Sequence, residues 1–260
     1  MTTLSISQAW NETTAFVKRE AGLLFPIALA FLAVPTIILQ FVTPQSVPGQ
    51  PVEGGPWLWL FIPVIVATMI GSLSITTLAI RPAQSVGDAI GHALKRLLPI
   101  LLAVLILSAV TLLIAVPALL VIFALGLTSE TAMLFGGLVF LAIFTFIWIR
   151  VILMTPVAVA EPVGAGGILR RSWALTRGHF SPLIMFATVI AIVAVVAFLA
   201  ITLVFGSLIA LVAGPPEKGN VSFVLSLVVS GIASAVFSVY FQVAVARIYV
   251  QLTGGSTSGM

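Results

Sequence analysis

The chain has 260 residues, 61% of them hydrophobic and 7% charged. A soluble domain carries roughly 25% charged residues, so a soluble protein is excluded, and the net charge of +4 belongs to a membrane chain rather than to a nucleic-acid binder. No cysteine is present, which excludes disulfides and thiolate metal sites, and neither His92 nor His179 has a second ligand at metal-binding spacing.

The first twenty residues, MTTLSISQAWNETTAFVKRE, are polar and mixed. They lack the basic start and apolar run of a cleaved leader, so the first span is expected to act as the insertion signal. Within them Ile6, Trp10, Thr13 and Val17 recur at helical spacing against Gln8, Asn11, Glu12, Lys18 and Arg19, which predicts a short amphipathic helix at the interface. A membrane-crossing helix needs about 20 mainly apolar residues. Six stretches qualify: 22–42, 57–80, 97–125, 132–160, 183–213 and 222–252. The predicted fold is therefore all-α, a polytopic integral membrane protein of six transmembrane helices in one domain, residues 1–252, with a short flexible tail at 253–260.

The linkers TPQSVPGQPVEGGP, GLTSE and GPPEKGN are short and nearly uncharged. Every basic residue except Lys218 falls on the opposite side. That side holds ten basic and four acidic residues, net +6, and the other holds one and three, net −2. The positive-inside rule makes the basic side cytoplasmic, with both termini there, and the expected location is a bacterial cytoplasmic (inner) membrane. Amphipathic stretches precede the third span (Val86, Ile90, Ala93, Leu94 and Leu97 against Asp88, His92, Lys95 and Arg96) and the fifth (Leu169, Trp173 and Phe180 against Arg170, Arg171 and Arg177). Pro26, Pro99 and Pro182 follow these stretches, where a missing N–H is tolerated. Three interfacial helices, each leading into a spanning hairpin, are the expected plan, with three ordinary basic loops as the alternative. Pro63 and Pro117 are natural kink sites.

The densest chemistry lies in RVILMTPVAVAEPVGAGGILRRSWALTRGHF, from Arg150 onward. Arg150 and Glu161 are about three helical turns apart, too far for direct pairing within one helix, so Glu161 is expected to meet an arginine of the next segment. Arg170, Arg171 and Arg177 suit lipid phosphates and Trp173 suits headgroup depth; the same residues also serve as plain topology anchors. The run from Arg150 through Pro156 to Glu161, then Arg171-Ser172-Trp173 and Thr176-Arg177-Gly178, resembles the six-span bacterial membrane domain attached to some glycerophosphoryl diester phosphodiesterases, and related small inner-membrane proteins. The soluble phosphodiesterase barrel is missing, so the resemblance implies a membrane family and no enzyme.

In the last span Ser222, Ser226, Ser230, Ser234 and Ser238 recur every fourth residue, with Gln242 next. This ladder suits a close helix contact, with Thr68, Ser72 and Thr76 as its partner ridge, or else a wet path or headgroup groove. No ionisable residue lies near a span centre, which speaks against ion-coupled transport. An intramembrane hydrolase would need a nucleophile beside a base and an orienting acid, and neither histidine lies in the ladder helix. The expected function is a non-enzymatic membrane module, without cofactor or metal, that binds anionic phospholipids at its basic cytoplasmic face, scaffolds protein partners, or forms a homo-oligomer. A transporter or flippase-like carrier of an apolar or lipid-like substrate is the alternative.

Overall fold

The computed structural model describes residues 5–44, 54–82, 84–124 and 130–254. Most of the first two uncharged linkers, and the tail beyond Gly254, lie outside the described residues. Helix α1 (Ile6–Arg19) starts at Ser5, whose hydroxyl accepts the Gln8 N–H, and ends with Lys18 and Arg19 in its last turn, where cations suit the helix dipole. Its buried side is Ala9, Thr13, Phe16 and Val17. Trp10, expected on that side, is 37% exposed and rests against Tyr240 instead, ring centroids 6.1 Å apart.

The first span is built from α2 (Ala21–Ala28), a π-helical turn (Leu29–Ala33) and α3 (Val34–Val42). Pro35 has no N–H to offer the preceding turn, and the helix widens just before it, with the Val34 N–H reaching back to Leu29 O. The Thr36 hydroxyl donates to Leu32 O at 2.7 Å, supplying from a side chain a bond that apolar surroundings cannot. A 3₁₀ turn, Pro56–Leu60, leads into α4 (Phe61–Ile80). Pro63 thus sits in the first turn of α4, where its ring costs little.

Helix α5 (Val86–Ala124) runs through Pro99 and Pro117. The second amphipathic stretch is consequently fused to its span, whereas the first and third are set off by breaks. What separates those two is backbone upstream of the prolines: Glu20 leaves helical geometry after α1, and Gly178 takes a positive φ of 88° before α9, a conformation only glycine adopts freely. Helix α6 (Glu130–Val151) ends and α7 (Met154–Ala160) begins around Leu153. Pro156 cannot donate to the carbonyl four residues earlier, which explains the interruption. Then come α8 (Ala165–Thr176), α9 (Phe180–Ala213) and α10 (Val221–Leu252). The last is started by Asn220, whose side chain accepts the Phe223 N–H at 2.8 Å.

Among the described residues six helical segments are long and apolar enough to cross a membrane, from Ala21–Val42 to Val221–Leu252. Their surfaces match that role, since Leu113 is 74% and Leu211 84% exposed, which only hydrocarbon makes tolerable. The chain is a multi-pass, all-helical membrane protein. Its packed core lies toward the basic end. Phe16, Leu24, Ile75 and Val239 join α1, α2, α4 and α10 there, and Ile149, Ile168, Phe186 and Ile248 join α6, α8, α9 and α10. Nearer the other end, small residues let backbones approach. A Cβ built on Gly71 would stand 2.7 Å from the Phe31 Cβ, and one on Gly231 2.5 Å from the Ile37 Cδ1.

Candidate functional site

At the basic end, small polar side chains fix the interfacial helices. On α8 the buried residues are Ile168, Ser172 and Thr176. Ser172 Oγ donates to Arg150 O at 2.9 Å and Thr176 Oγ1 to the same oxygen at 3.4 Å, so α8 is tied to the end of α6. Trp173, Arg170 and Arg177 face outward and are exposed. The α7 C-terminus is closed similarly, with Val159 O accepting from His92 Nε2 at 3.0 Å and from Arg81 Nη2 at 3.5 Å.

The arginines divide into two kinds. Arg171 is committed to protein: its Nε donates to Glu161 Oε1 at 2.9 Å, and Tyr249 OH donates to that oxygen at 3.0 Å. Sequence spacing pointed to an arginine partner for Glu161 but not to Tyr249, which arrives from α10. The hydrogen bond to the Glu161 carboxylate raises the Arg171 pKa above the ordinary arginine range, against a smaller desolvation cost. A raised cation pKa contributes stability throughout lower pH and loses it only above that range, so the pair is indifferent to pH on the arginine side. Because Arg171 is 46% exposed, Glu161→Gln is expected to lower the unfolding temperature by no more than a few degrees. A thermal melt of the variant beside Tyr249→Phe checks this, and a larger loss in either would mean that the pair supports α8 more than its exposure allows.

Arg150 and Arg247 are held differently. The Arg150 guanidinium lies 5.1 Å from the Phe146 ring, 5.2 Å from Trp173 and 5.6 Å from Phe180. Among the described residues its Nε and Nη1 are buried without a hydrogen-bond partner. Arg247, only 9% exposed, lies 4.7 Å over the Phe16 ring, and its Nε likewise has no partner. Among the described residues the ion pairs are Arg19–Glu20 and Arg171–Glu161, so neither caged arginine has a carboxylate within ion-pair distance, Glu12 being near enough to Arg247 to act on it only through space. Each reaches from the last two turns of its helix onto an aromatic residue of an interfacial helix, Arg247 from α10 onto α1 and Arg150 from α6 onto α8. Cation–π contact of this kind is worth about 0.5–2 kcal/mol but satisfies no N–H.

The family DUF7847, described as a domain of unknown function, matches residues 4–252. The chain belongs to it. The DUF7847 match takes in both set-off interfacial helices and all six spans, so the arginine cages lie inside the family's extent. No curated protein and no solved structure matches the chain.

The serine ladder of α10 splits by environment. Ser222 is buried and donates to Ala213 O at 2.6 Å, joining α10 to the end of α9. Ser226 and Ser230 each donate at 2.8 Å to the carbonyl four residues earlier. Ser234 and Ser238 line cavities, and Gln242 Nε2 donates to Ser72 Oγ at 3.2 Å. The buried ridge of α10 is instead Leu227, Gly231, Ala235, Val239 and Val243, one residue further on than the serines. At the end opposite the basic one Lys218 Nζ donates to Thr43 O at 3.1 Å, satisfying a carbonyl just beyond the first span.

Proposed function

We propose that the chain is a non-enzymatic membrane module that binds anionic phospholipid headgroups at its basic end. That end is taken as the cytoplasmic face of a bacterial inner membrane, with both ends of the described chain on it. The observation that carries this reading is the pair of caged arginines. A guanidinium withdrawn from water without an acceptor costs several kcal/mol in principle, and each N–H left unmade costs about 1–3 kcal/mol. The bilayer offers phosphate at this depth, and an arginine fork binds phosphate through two parallel bonds. Seating on aromatic rings orients the fork beforehand and reduces the ordering cost of capture. Arg170, exposed on α8, and Arg177, exposed just after it, add surface attraction of about 1 kcal/mol each. Arg171 orients α8 through Glu161 rather than meeting lipid. The resemblance of the Arg150–Gly178 run to the membrane domain of glycerophosphoryl diester phosphodiesterases supports work at headgroups without hydrolysis.

Native mass spectrometry of the protein released from mild detergent tests the proposal and reports the oligomer as well. Wild type is expected to carry anionic phospholipid. An Arg150→Met/Arg247→Met variant should lose it, and an Arg170→Ala/Arg171→Ala/Arg177→Ala variant should retain fewer copies. Equal retention by wild type and the methionine variant, with helicity preserved, would reduce the arginines to topology anchors and turn the search toward protein partners.

A further inference from the structure

Two cavities meet at the α10 serines. One, of about 410 Å³, is an open groove between α9 and α10 and is almost wholly apolar, with Ala194, Phe198, Ile201 and Phe237 in its wall and Phe198 and Phe237 exposed at its mouth. The other, of about 240 Å³, lies among the first span, α4 and α10, and is lined by Thr36, Thr68, Ser72 and Gln242 beside the π-helical turn. Ser234 and Ser238 belong to both walls.

The hydrogen-bonding capacity of the second cavity is largely unspent. Thr36 and Thr68 give their protons to Leu32 O at 2.7 Å and Val64 O at 2.9 Å, which leaves oxygen lone pairs free. Gln242 donates to Ser72, while its Oε1 is buried with no partner. The back-bonding that occupies Ser226 and Ser230 stops before Ser234 and Ser238. π-helical turns gather at functional sites because they divert backbone from regular pairing. Among the described residues no ionisable side chain lines either cavity, and a charge placed there would lack a counter-ion at a depth where ionised groups are expensive. The occupant that fits is neutral, with a head that both donates and accepts hydrogen bonds and a hydrocarbon chain leaving on the α9 side. A liquid water takes about 30 Å³, so the polar cavity has room for a head of several hydroxyls, and what disfavours a phospholipid headgroup there is its charge rather than its size.

We propose that the paired cavities form a binding site for a neutral single-chain amphiphile of the monoacylglycerol type, its hydroxylated head among Thr36, Ser72 and Gln242 and its chain between α9 and α10. The site is separate from the arginine cages and independent of the headgroup reading.

A diazirine-bearing monoacylglycerol, photolysed with the full-length protein in nanodiscs, tests it. Saturable labelling of α9 and α10 peptides is expected, competed by unlabelled monoacylglycerol and not by phosphatidylglycerol. Gln242→Leu and Ser234→Leu should each weaken apparent affinity about tenfold, the loss expected from stranding or blocking the polar contacts. Ser72→Ala deletes one oxygen without adding bulk and should weaken it in the same direction, which keeps the test valid if a leucine variant folds poorly. The Arg150→Met/Arg247→Met variant should label normally, so loss of anionic lipid and loss of this site can be told apart. Labelling that does not saturate, or that survives all three cavity substitutions, would mean that the polar cavity holds only water. Equal competition by phosphatidylglycerol would overturn the assignment of a neutral head.

Discussion

Gly71→Val is expected to be among the most destabilising single substitutions in the chain. The added Cβ would meet the Phe31 Cβ at 2.7 Å and the Leu32 Cδ2 at 3.2 Å. The Phe31 Cβ is fixed to the backbone of the π-helical turn and cannot swing aside, so α4 and the first span must move apart. Overpacking of this kind costs about 1–3 kcal/mol, which for a chain of this size lowers the unfolding temperature by several degrees. Gly231→Ala provides the contrast. Its Cβ would meet Ile37 Cδ1 at 2.5 Å and Cγ1 at 2.6 Å, atoms that a turn of the Ile37 side chain can carry away at the cost of a stiff χ1 rotation, and alanine recovers up to about 1 kcal/mol of helix propensity. A smaller loss than for Gly71→Val is expected there. Thermal melts in one detergent check the order, and a greater loss for Gly231→Ala than for Gly71→Val would mean that the π-helical turn yields more readily than an isoleucine rotamer.

Arg247→Met is expected to reverse sign with the surroundings. In detergent stripped of anionic lipid the variant should melt at or above the wild-type temperature. Methionine keeps an unbranched apolar stem that can pack toward Phe16, and a buried charge without an acceptor is removed. With phosphatidylglycerol added, wild type should gain stability by mass action, about 2.7 kcal/mol at a lipid concentration one hundred times the dissociation constant, while the variant stays flat. The lipid titration of the melting temperature is the decisive curve. A variant that responds like wild type would remove Arg247 from headgroup binding.

The six spans were legible from the length of the apolar runs and from charge placed on one side, because crossing hydrocarbon leaves a helix few other compositions. The inward faces were less so. On α1 the helical pattern suggested Trp10 beside Thr13 and Val17, yet Ala9 and Phe16 join those two inside in its place; on α8 it suggested Trp173, yet Ser172 and Thr176 are inside. On α5 Leu94 is 53% exposed while Ala89 and Ala93 are buried. Apolar periodicity finds the side that leaves water, but here lipid is as apolar as leucine, and small residues win the interior by permitting close approach. The same logic puts Gly231 and Ala235, rather than the serines, on the buried ridge of α10. The Glu161–Arg171 pair could be anticipated because a charge at the border needs a near neighbour. Arg247 could not, since its cage depends on α1 docking against α10 from the far end of the chain. Pro35, inside an apolar run and followed by a threonine, was the available sign of the π-helical turn.

That docking also bears on the order of synthesis. α1 leaves the ribosome before α10, since Arg247 lies more than 200 residues further along, as does Gln251, whose Oε1 accepts the Ser5 N–H at 3.3 Å. At about 5–20 residues per second, α1 waits on the order of tens of seconds on the membrane surface before the last span arrives to hold it. A chain stalled or cut before α10 therefore carries a loose basic amphipathic helix, which offers a quality-control protease a handle that the finished molecule conceals.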